Sequence, residues 1–326
     1  MRGIVVGLGS MGKRRIRLMR DFFPGVSLCG VDSSAARREE AAGLFGIGCY
    51  ASIGEAVETF SPEIGFVCTS PLSHAAIIRE LLARGLSVFT EINLVADGYD
   101  ENLALARQKG LTLFLSSTPL YRRETRWIER TVKGAGCPLV YRYHVGQYLP
   151  DWHPWESYKN FFVGDKRTNG CREIFGIELP WLVSAFGEIE RVDAVKTAQT
   201  GLGLDYPDSY LATVRHAGGT IGQLAVNVVS RKAVRDLEVV GEQLYLRWGG
   251  TPDSLSYYDF ESKADVPVNT YETVEHDDRY SANIVENAYV DELAAFFNVL
   301  DGKQARHHSF EEDKRLLAVI DGIEAD

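Results

Sequence analysis

The sequence predicts an α/β protein with an N-terminal Rossmann domain, built on a doubly wound parallel sheet, and a C-terminal α+β domain with a mostly antiparallel open sheet. Three observations support this fold class. A glycine-rich turn follows a short apolar run, strand and helix patterns alternate through the first third, and longer β-rich runs with tight turns follow. The alternation stops at Ser116-Ser117-Thr118-Pro119, which places the domains at residues 1–118 and 119–326.

Apolar runs, separated by glycine and proline, predict the order of the elements. In the first domain, strands are predicted near residues 3–6, 27–31, 48–50, 64–68, 87–90 and 111–116. Helices are predicted between them, from Met11 onward and over residues 35–45, 74–83 and 99–109. In the second domain, strands are predicted at 139–145, 210–216, 220–229, 237–240 and 244–248, with hairpin turns at 216–220 and 241–242. Helices are predicted around 173–186, 284–300 and 310–323.

The turn after the first strand reads Gly7-Leu8-Gly9-Ser10-Met11-Gly12. Gly7 permits a tight turn, Gly9 lets the backbone approach a pyrophosphate, and Gly12 lets the helix lie against the strand. Backbone N–H groups at the helix start, around Ser10 and Met11, are suited to receive phosphates. The pattern predicts a dinucleotide site, whereas the alternative is a glycine-rich turn in an unrelated α/β unit.

Asp32 ends the second predicted strand, about 20 residues after the glycine turn. A carboxylate at this position accepts hydrogen bonds from the adenosine ribose hydroxyls and repels a 2′-phosphate, so NAD is the expected cofactor and NADP is less favoured. Arg37 and Arg38 would reach a 2′-phosphate if the next helix began close to the ribose. Their spacing more often indicates a solvated helix face.

Composition narrows the class of protein. The 326 residues are 45% hydrophobic and 25% charged, which is typical of a globular protein of two domains. A net charge of −10 argues against nucleic acid or an anionic membrane as partner. The first strand begins almost at Met1 and no apolar run is of membrane-spanning length, so we expect a cytoplasmic protein. No His, Asp, Glu or Cys spacing fits a metal site, and no metal is expected.

Two further motifs carry a family resemblance. They are Thr69-Ser70-Pro71-Leu72-Ser73-His74 and, after a helix-glycine-strand stretch, Glu91-Ile92-Asn93. With them the chain resembles the nicotinamide oxidoreductases that include glucose-fructose oxidoreductase, inositol dehydrogenase and MocA. In relatives the first motif wraps the nicotinamide half of the cofactor and the second reads Glu-Lys-Pro. The resemblance implies cofactor contacts from Thr69, Ser70, Pro71, His74 and Glu91, although His74 is equally suited to capping the helix it begins.

The sequence departs from the family pattern at two places. Ile92 replaces the lysine that helps to activate the substrate hydroxyl in relatives. Further on, relatives carry Asp and, four residues later, His on one helix, where this chain has Glu173 and Ile177. Hydride transfer from an alcohol needs a group that takes the hydroxyl proton. Either the base has moved in this chain, or the chain does not catalyse that reaction.

A run of functional side-chain types at residues 143–159 offers replacements. The candidates for acid/base catalysis are His153, Tyr148, Lys159 and Glu173. The candidates for substrate binding are Asp151, Trp152, Trp155 and Arg172. His153 ranks first because imidazole titrates near neutral pH and Asp151 would orient its ring. The alternative is that prolines and aromatic residues pin this loop by packing and His153 is inert.

The leading hypothesis is an NAD-dependent oxidoreductase acting on a hydroxyl of a sugar, sugar nucleotide or related polyol. Aromatic rings interleaved with polar groups suit a carbohydrate, and Arg231, Lys232 and Arg235 would meet the phosphates of a nucleotide-activated sugar. A second hypothesis is a nucleotide-binding sensor or assembly protein without turnover. A third is transient oxidation that drives an elimination or epimerisation. The resemblance also implies a homodimer or homotetramer formed through an exposed face of the second sheet.

Overall fold

The computed structural model of the chain describes residues 1–152, 157–277, 283–305 and 307–325. The chain divides into two compact units. The first unit comprises Met1–Ser117 and Tyr289–Asp313, and the second comprises Thr118–Ala288 and Lys314–Asp326.

Six parallel strands form the sheet of the first unit. They are β1 (Arg2–Val6), β2 (Ser27–Val31), β3 (Gly48–Tyr50), β4 (Ile64–Val67), β5 (Ser87–Thr90) and β6 (Leu113–Leu115). The strand order is β3-β2-β1-β4-β5-β6, which is that of the Rossmann fold, with its reversal between β1 and β4. Five helices alternate with the strands, namely α1 (Ser10–Phe22), α2 (Ala35–Phe45), α3 (Ile53–Phe60), α4 (Pro71–Ala83) and α5 (Tyr99–Lys109).

The local sequence explains where these elements begin and end. Strand β4 is buried along its whole length, as its apolar sequence requires in a sheet covered on both faces. Helix α2 begins after Ser34, whose hydroxyl accepts a hydrogen bond from the backbone N–H of Arg37. It ends at Gly46, which has the left-handed conformation that terminates many helices. The Ser34 cap fixes the end of the loop that follows β2.

Eight strands form the sheet of the second unit. They are β7 (Val140–Gly146), β8 (Ile189–Thr197), β9 (Ser209–His216), β10 (Ile221–Asn227), β11 (Val234–Gly241), β12 (Leu244–Trp248), β13 (Leu255–Asp259) and β14 (Ala264–Pro267). Their order is β14-β13-β12-β11-β7-β10-β9-β8. The β7–β10 pair is parallel and the other neighbours are antiparallel. The remaining α-helices of the described chain are α6 (Arg123–Gly134), α7 (Gly170–Phe186), α8 (Glu286–Leu300) and α9 (Phe310–Glu324).

The two faces of the second sheet differ in burial. Helix α7 packs on one face, where Phe175 meets Tyr210 edge to face with ring centroids 5.7 Å apart. Along β9 buried and exposed residues alternate, as expected for a sheet covered on one side. The other face carries exposed apolar side chains, which are Val140, Val195, Leu211, Ile221 and Val240.

The predicted fold class is confirmed: a Rossmann-like parallel sheet is followed by a mostly antiparallel one. The structure contains several elements that the sequence patterns did not predict. Helices α3 and α6 and strands β8, β13 and β14 are among them. Strand β8 has the sequence IERVDAVKT, and none of its residues is buried. Its sequence therefore lacks the alternation of apolar and polar residues that predicts a half-buried strand.

The division into domains needs one correction. Residues 119–326 were expected to form the second domain, yet Tyr289–Asp313 belongs to the first unit. The physical reason is a shared aromatic core, because Phe296 packs edge to face on Phe66, Phe89 and Phe114 at 5.5–5.6 Å between ring centroids. An amphipathic helix pattern gives no indication of the sheet on which the helix packs.

Candidate functional site

The glycine turn after β1 is shaped to admit a ligand. Gly7 has φ +95°, and a Cβ there would lie 2.7 Å from the carbonyl oxygen of Cys68. A Cβ on Gly12 would lie 1.9 Å from the carbonyl oxygen of Gly7, so only glycine permits α1 to approach the turn. A Cβ on Gly9, in contrast, would meet no atom within 4 Å. The backbone at Gly9 is therefore open, and the start of α1 lies directly behind it.

Asp32 follows β2 and lies beside this turn. Its Oδ2 accepts a hydrogen bond from the backbone N–H of Leu8 at 2.9 Å, and its Oδ1 accepts one from Ser34 N at 2.8 Å. Each carboxylate oxygen retains a further lone pair for a ribose hydroxyl. The carboxylate is buried and held in place from both sides.

Two arginines lie closer to Asp32 than a solvated helix face implies. The Arg38 guanidinium donates to the backbone carbonyl oxygens of Asp32 at 2.7 Å and of Ser33 at 3.0 Å. Arg37 Nη1 lies 3.8 Å from Asp32 Oδ2, although its side chain is half exposed. Helix α2 thus begins near the expected ribose position and brings two positive charges to it.

The loop after β4 carries the predicted residues Thr69, Ser70, Pro71 and His74. Ser70 is the N-cap of α4 and Pro71 its first residue, so the expectation that His74 caps the helix is wrong. The His74 ring is buried instead. Its Nδ1 lies 2.6 Å from Asn93 Oδ1 and its Nε2 lies 3.0 Å from the Thr69 carbonyl oxygen. Burial lowers the pKa of His74, which keeps the imidazole neutral near pH 7.

Glu91, predicted to contact the cofactor, has its carboxylate engaged within the first unit. The Glu91 carboxylate forms an ion pair with Arg15, whose Nε lies 2.6 Å from Glu91 Oε1. The same guanidinium pairs with Glu292 at 2.6 Å. All three side chains are buried and belong to the first unit. Glu91 therefore ties β5 to α1 and α8, and its side chain is committed to that network.

In the second unit, Glu173 lies in the first turn of α7. Its Oε2 is buried and has no hydrogen-bond partner among the residues that the structure describes. Burial raises the pKa of Glu173 to about 8, since the charged form loses its hydration there. One helical turn further on stands Ile177, which cannot exchange protons. Glu173 is thus a carboxyl group that is neutral at pH 7 and can be ionised in mildly alkaline solution.

Trp152 lies near the first residue of α7. Its ring approaches Gly170, where a Cβ would lie 3.5 Å from Trp152 Cη2. Gly170 and Glu173 are three residues apart and share a helix face. The indole Nε1 of Trp152 is buried and has no hydrogen-bond partner within the described part of the chain. A hydrogen-bond donor and a protonated carboxyl therefore line the same end of α7.

The other predicted residues of this region differ in their surroundings. The Arg231 guanidinium carbon stacks 3.6 Å from the ring centroid of Tyr148, which is half-buried. Asp151 and Lys159 are exposed. His153 and Trp155 lie outside the described residues, so their predicted roles stay predictions.

Arg172, predicted to hold an anionic group, is paired with carboxylates of the second unit. Its guanidinium pairs with Glu324 and Asp321 of α9, with N–O distances of 2.5 and 2.7 Å. Arg235, expected to meet phosphates, is likewise paired with the buried carboxylate of Glu178. Both arginines therefore have their charge balanced by neighbouring carboxylates.

Sequence reasoning missed Arg15 and Asn93. Arg15 lies in the basic run after the glycine turn, and an arginine three residues after Gly12 gave no sign that it is fully buried. Asn93 occupies the proline position of the family's Glu-Lys-Pro motif, and that departure was the one signal for it.

The described residues contain neither a metal-ligand cluster nor a membrane-spanning helix. No group of three or more His, Cys, Asp or Glu side chains there is arranged to hold a metal ion. No helix in that part of the chain is both long and apolar enough to cross a bilayer.

The strand order and the glycine turn define the first unit as a Rossmann domain. Residues 1–117 match the model of the GFO_IDH_MocA family, described as an oxidoreductase family with an NAD-binding Rossmann fold. The match covers the first unit's Met1–Ser117 and agrees with the resemblance that the motifs predicted.

Three known proteins show how far the similarity extends. Human biliverdin reductase A is 28% identical over 193 residues, which span 59% of this chain and 60% of the relative. The structure of UDP-N-acetylglucosamine 3-dehydrogenase GnnA from Acidithiobacillus ferrooxidans superposes with TM-score 0.76 at 18% identity, covering 99% of this chain and 96% of that one. GenD2 from gentamicin A biosynthesis, in complex with NAD, gives TM-score 0.76 at 19% identity, with 98% and 92% covered. At these identities the two structures establish the fold.

Proposed function

We propose that the chain is an NAD-dependent oxidoreductase acting on a hydroxyl group of a sugar, sugar nucleotide or related polyol, and that Glu173 exchanges the hydroxyl proton. The observation that carries this proposal is the Glu173 carboxyl, whose buried oxygen has no partner in the described chain and whose pKa is raised to about 8. Glu173 also stands where the family resemblance places a substrate-contacting carboxylate. The first unit supplies the complete glycine turn for the cofactor.

The chemistry needs a group with a pKa near the working pH. NAD, when bound, accepts hydride from the carbon of the alcohol. The hydroxyl proton must leave at the same time, and an ionised Glu173 accepts it while the carbonyl forms. In the reverse direction a protonated Glu173 donates that proton to the carbonyl oxygen. With a pKa of about 8, Glu173 favours reduction below pH 8 and oxidation above it.

The surroundings of Glu173 support a polyol-like substrate. The Trp152 indole N–H is a buried donor without a partner in the described chain, and its ring offers an apolar face. Arg231, stacked on Tyr148, retains guanidinium N–H groups for an anionic substituent such as the phosphate of a sugar nucleotide. Arg235, in contrast, is paired with the Glu178 carboxylate, so Arg231 is the preferred candidate for that role. GnnA, with the same fold, is named for a sugar nucleotide substrate.

The cofactor proposed is NAD rather than NADP. Asp32 accepts two backbone hydrogen bonds and directs its remaining lone pairs to the ribose, where a 2′-phosphate would be repelled. Arg37 and Arg38 lie near enough to weaken that repulsion. The expected outcome is a preference for NAD that is moderate in size.

A second candidate is reduction of a conjugated double bond in a linear tetrapyrrole. The observation that favours it is the similarity to human biliverdin reductase A, at 28% identity over 193 residues. Such a reduction needs a proton donor and no hydroxyl base, which suits the absence of the lysine at Ile92 and a Glu173 that is protonated at neutral pH.

One set of assays distinguishes the candidates. The purified chain is mixed with UDP-N-acetylglucosamine or myo-inositol and NAD, or with biliverdin and NADH, and absorbance at the nicotinamide band is followed. Turnover of a polyol supports the proposed function, and turnover of biliverdin alone supports the second candidate. NADH binding without turnover of any of them supports a sensor or assembly protein. His153→Asn, assayed beside Glu173→Gln, tests whether His153 is the acid/base group instead.

The exposed face of the second sheet supports self-association. Val195 and Leu211 are opposite each other on β8 and β9, and their exposed fractions are 68% and 52%. Val140 and Val240 pair on β7 and β11 and are also exposed. A row of apolar side chains across five strands is typical of a surface covered by another subunit. We propose that it is covered by a second copy of this chain in a homodimer or homotetramer.

A further inference from the structure

The loop after β4 is held by a buried imidazole. His74 Nε2 lies 3.0 Å from the carbonyl oxygen of Thr69, five residues earlier, and Nδ1 lies 2.6 Å from the Asn93 side chain. Thr90 Oγ1 is a more distant neighbour of Nδ1 at 3.3 Å and also donates to the Glu91 carbonyl oxygen. Among the described residues, the Asn93 amide is therefore the principal partner of the imidazole on that side.

The number of N–H groups on the His74 imidazole determines whether Asn93 must donate or accept a hydrogen bond. A neutral imidazole carries one N–H, and His74 is neutral near pH 7 because of its burial. The Thr69 carbonyl oxygen only accepts hydrogen bonds, so the hydrogen must be on Nε2. Nδ1 is then an acceptor and needs a donor, which the amide nitrogen of Asn93 provides when the amide is turned to face it. This nitrogen is buried and forms no hydrogen bond of good geometry within the described part of the chain. The other neighbour of the Asn93 side chain is the Tyr99 hydroxyl, which itself donates to Asp313.

The position of Thr69 gives this contact a consequence for binding. Thr69 follows β4 at the reversal of strand order, and its Cγ2 would lie 2.8 Å from a Cβ on Gly7. In a Rossmann sheet, a dinucleotide crosses the carboxyl ends of the strands at this reversal. Asp32 marks the adenosine half at β2, so the loop after β4 lies under the other half. The Thr69 carbonyl is thus fixed where the nicotinamide half would lie.

We propose that Asn93 is a positioning residue that acts through His74 to hold the Thr69 loop in the conformation that receives the nicotinamide half of the cofactor. The proposal rests on the proposed NAD binding. It explains why an amide stands at the proline position of the family motif: proline has no side-chain donor, whereas Asn donates to Nδ1. It also predicts that binding of the nicotinamide half of the cofactor depends on residue 93, whereas binding of the adenosine half does not.

The test compares NADH with ADP-ribose, which has the adenosine half but no nicotinamide. For Asn93→Ala we expect the Kd for NADH to rise about tenfold, as for the loss of one buried hydrogen bond, while the Kd for ADP-ribose changes by less than about twofold. NADH binding is followed by its fluorescence and ADP-ribose binding by calorimetry. Asn102→Ala is the matched control, since Asn102 is buried and donates to the carbonyl oxygen of Ala75 at 3.0 Å, without contacting His74.

A double-mutant cycle tests whether Asn93 acts through His74. If it does, Asn93→Ala combined with His74→Leu weakens NADH binding no more than His74→Leu alone. Additive losses would overturn the proposal, as would equal losses of NADH and ADP-ribose in Asn93→Ala or the same NADH loss in Asn102→Ala. If the unmodified chain binds neither ligand, the proposed function fails. If it binds both and Asn93→Ala leaves both constants unchanged, only this inference fails.

Discussion

The two units build their candidate sites from different materials. In the first unit the candidate site is formed by the backbone of Gly7, Gly9 and Gly12. The absence of side chains at these positions gives the turn its shape. The second unit uses two side chains near the start of α7, Glu173 in its first turn and Trp152 beside Gly170. Each has a buried polar atom without a partner among the described residues. A site made of backbone is specified by a short local pattern, whereas a site made of side chains depends on how distant segments bury them.

Substitution of Glu173 is the most severe test of the side-chain site proposed for the second unit. Glu173→Gln keeps the size and polarity of the side chain but cannot exchange a proton, so turnover is expected to fall by 10² to 10⁴-fold, as for loss of a general acid/base. The Kd for NADH should stay unchanged, because Glu173 belongs to the second unit. Steady-state kinetics with the substrate from the assays above provide the measurement. Turnover within about twofold of the unmodified protein would remove Glu173 from the mechanism.

Substitution of Gly12 tests whether the backbone of the glycine turn forms the cofactor site of the first unit. In Gly12→Ala the new Cβ would lie 1.9 Å from the carbonyl oxygen of Gly7, and the turn must shift to relieve the overlap. We expect the Kd for NADH to rise about 100-fold, corresponding to roughly 3 kcal/mol of overpacking. Gly43→Ala is the matched control, because Gly43 lies within α2 and a Cβ there meets nothing within 4 Å. Equal affinities for the two variants would contradict a backbone-built site.

Asp32→Ala gives a smaller effect that sharpens the account of the cofactor. The unmodified protein is expected to bind NADH about tenfold more tightly than NADPH, a difference of roughly 1.4 kcal/mol. Removing the carboxylate leaves Arg37 and Arg38 near the ribose, so the preference should shrink or reverse. Fluorescence titration with both cofactors measures it. Equal constants for NADH and NADPH in the unmodified protein would contradict the assignment of NAD.

The smallest effect on the cofactor site is expected from Leu211→Glu. This change places a charge on the exposed face of the second sheet, beside Val195, and should separate subunits that associate through that face. Sedimentation should show a species of 36.3 kDa for the variant and a multiple of it for the unmodified protein. NADH affinity should not change. A monomeric unmodified protein at micromolar concentration would leave that apolar face unexplained.

The sequence predicted the backbone part of the site better than the side-chain part. The glycine turn and Asp32 form a local pattern, and the structure places them together as expected. Glu173 was named only through its position in the family pattern, since no sequence signal states that a carboxyl is buried. Arg172 was expected to be available for binding substrate. Its ion-pair partners Asp321 and Glu324 are about 150 residues away along the chain. Such long-range pairing is set by tertiary packing.

The proposed proton exchange requires that Glu173 is a neutral carboxyl at pH 7 that ionises near pH 8. The direct test is a ¹³C NMR titration of the protein labelled at glutamate carboxyls, with Glu173→Gln used to identify the signal. The account predicts one signal with a pKa of about 8 that is absent in the variant. A Glu173 signal that titrates near the ordinary value of about 4.3 would contradict the claim and with it the proposed proton exchange.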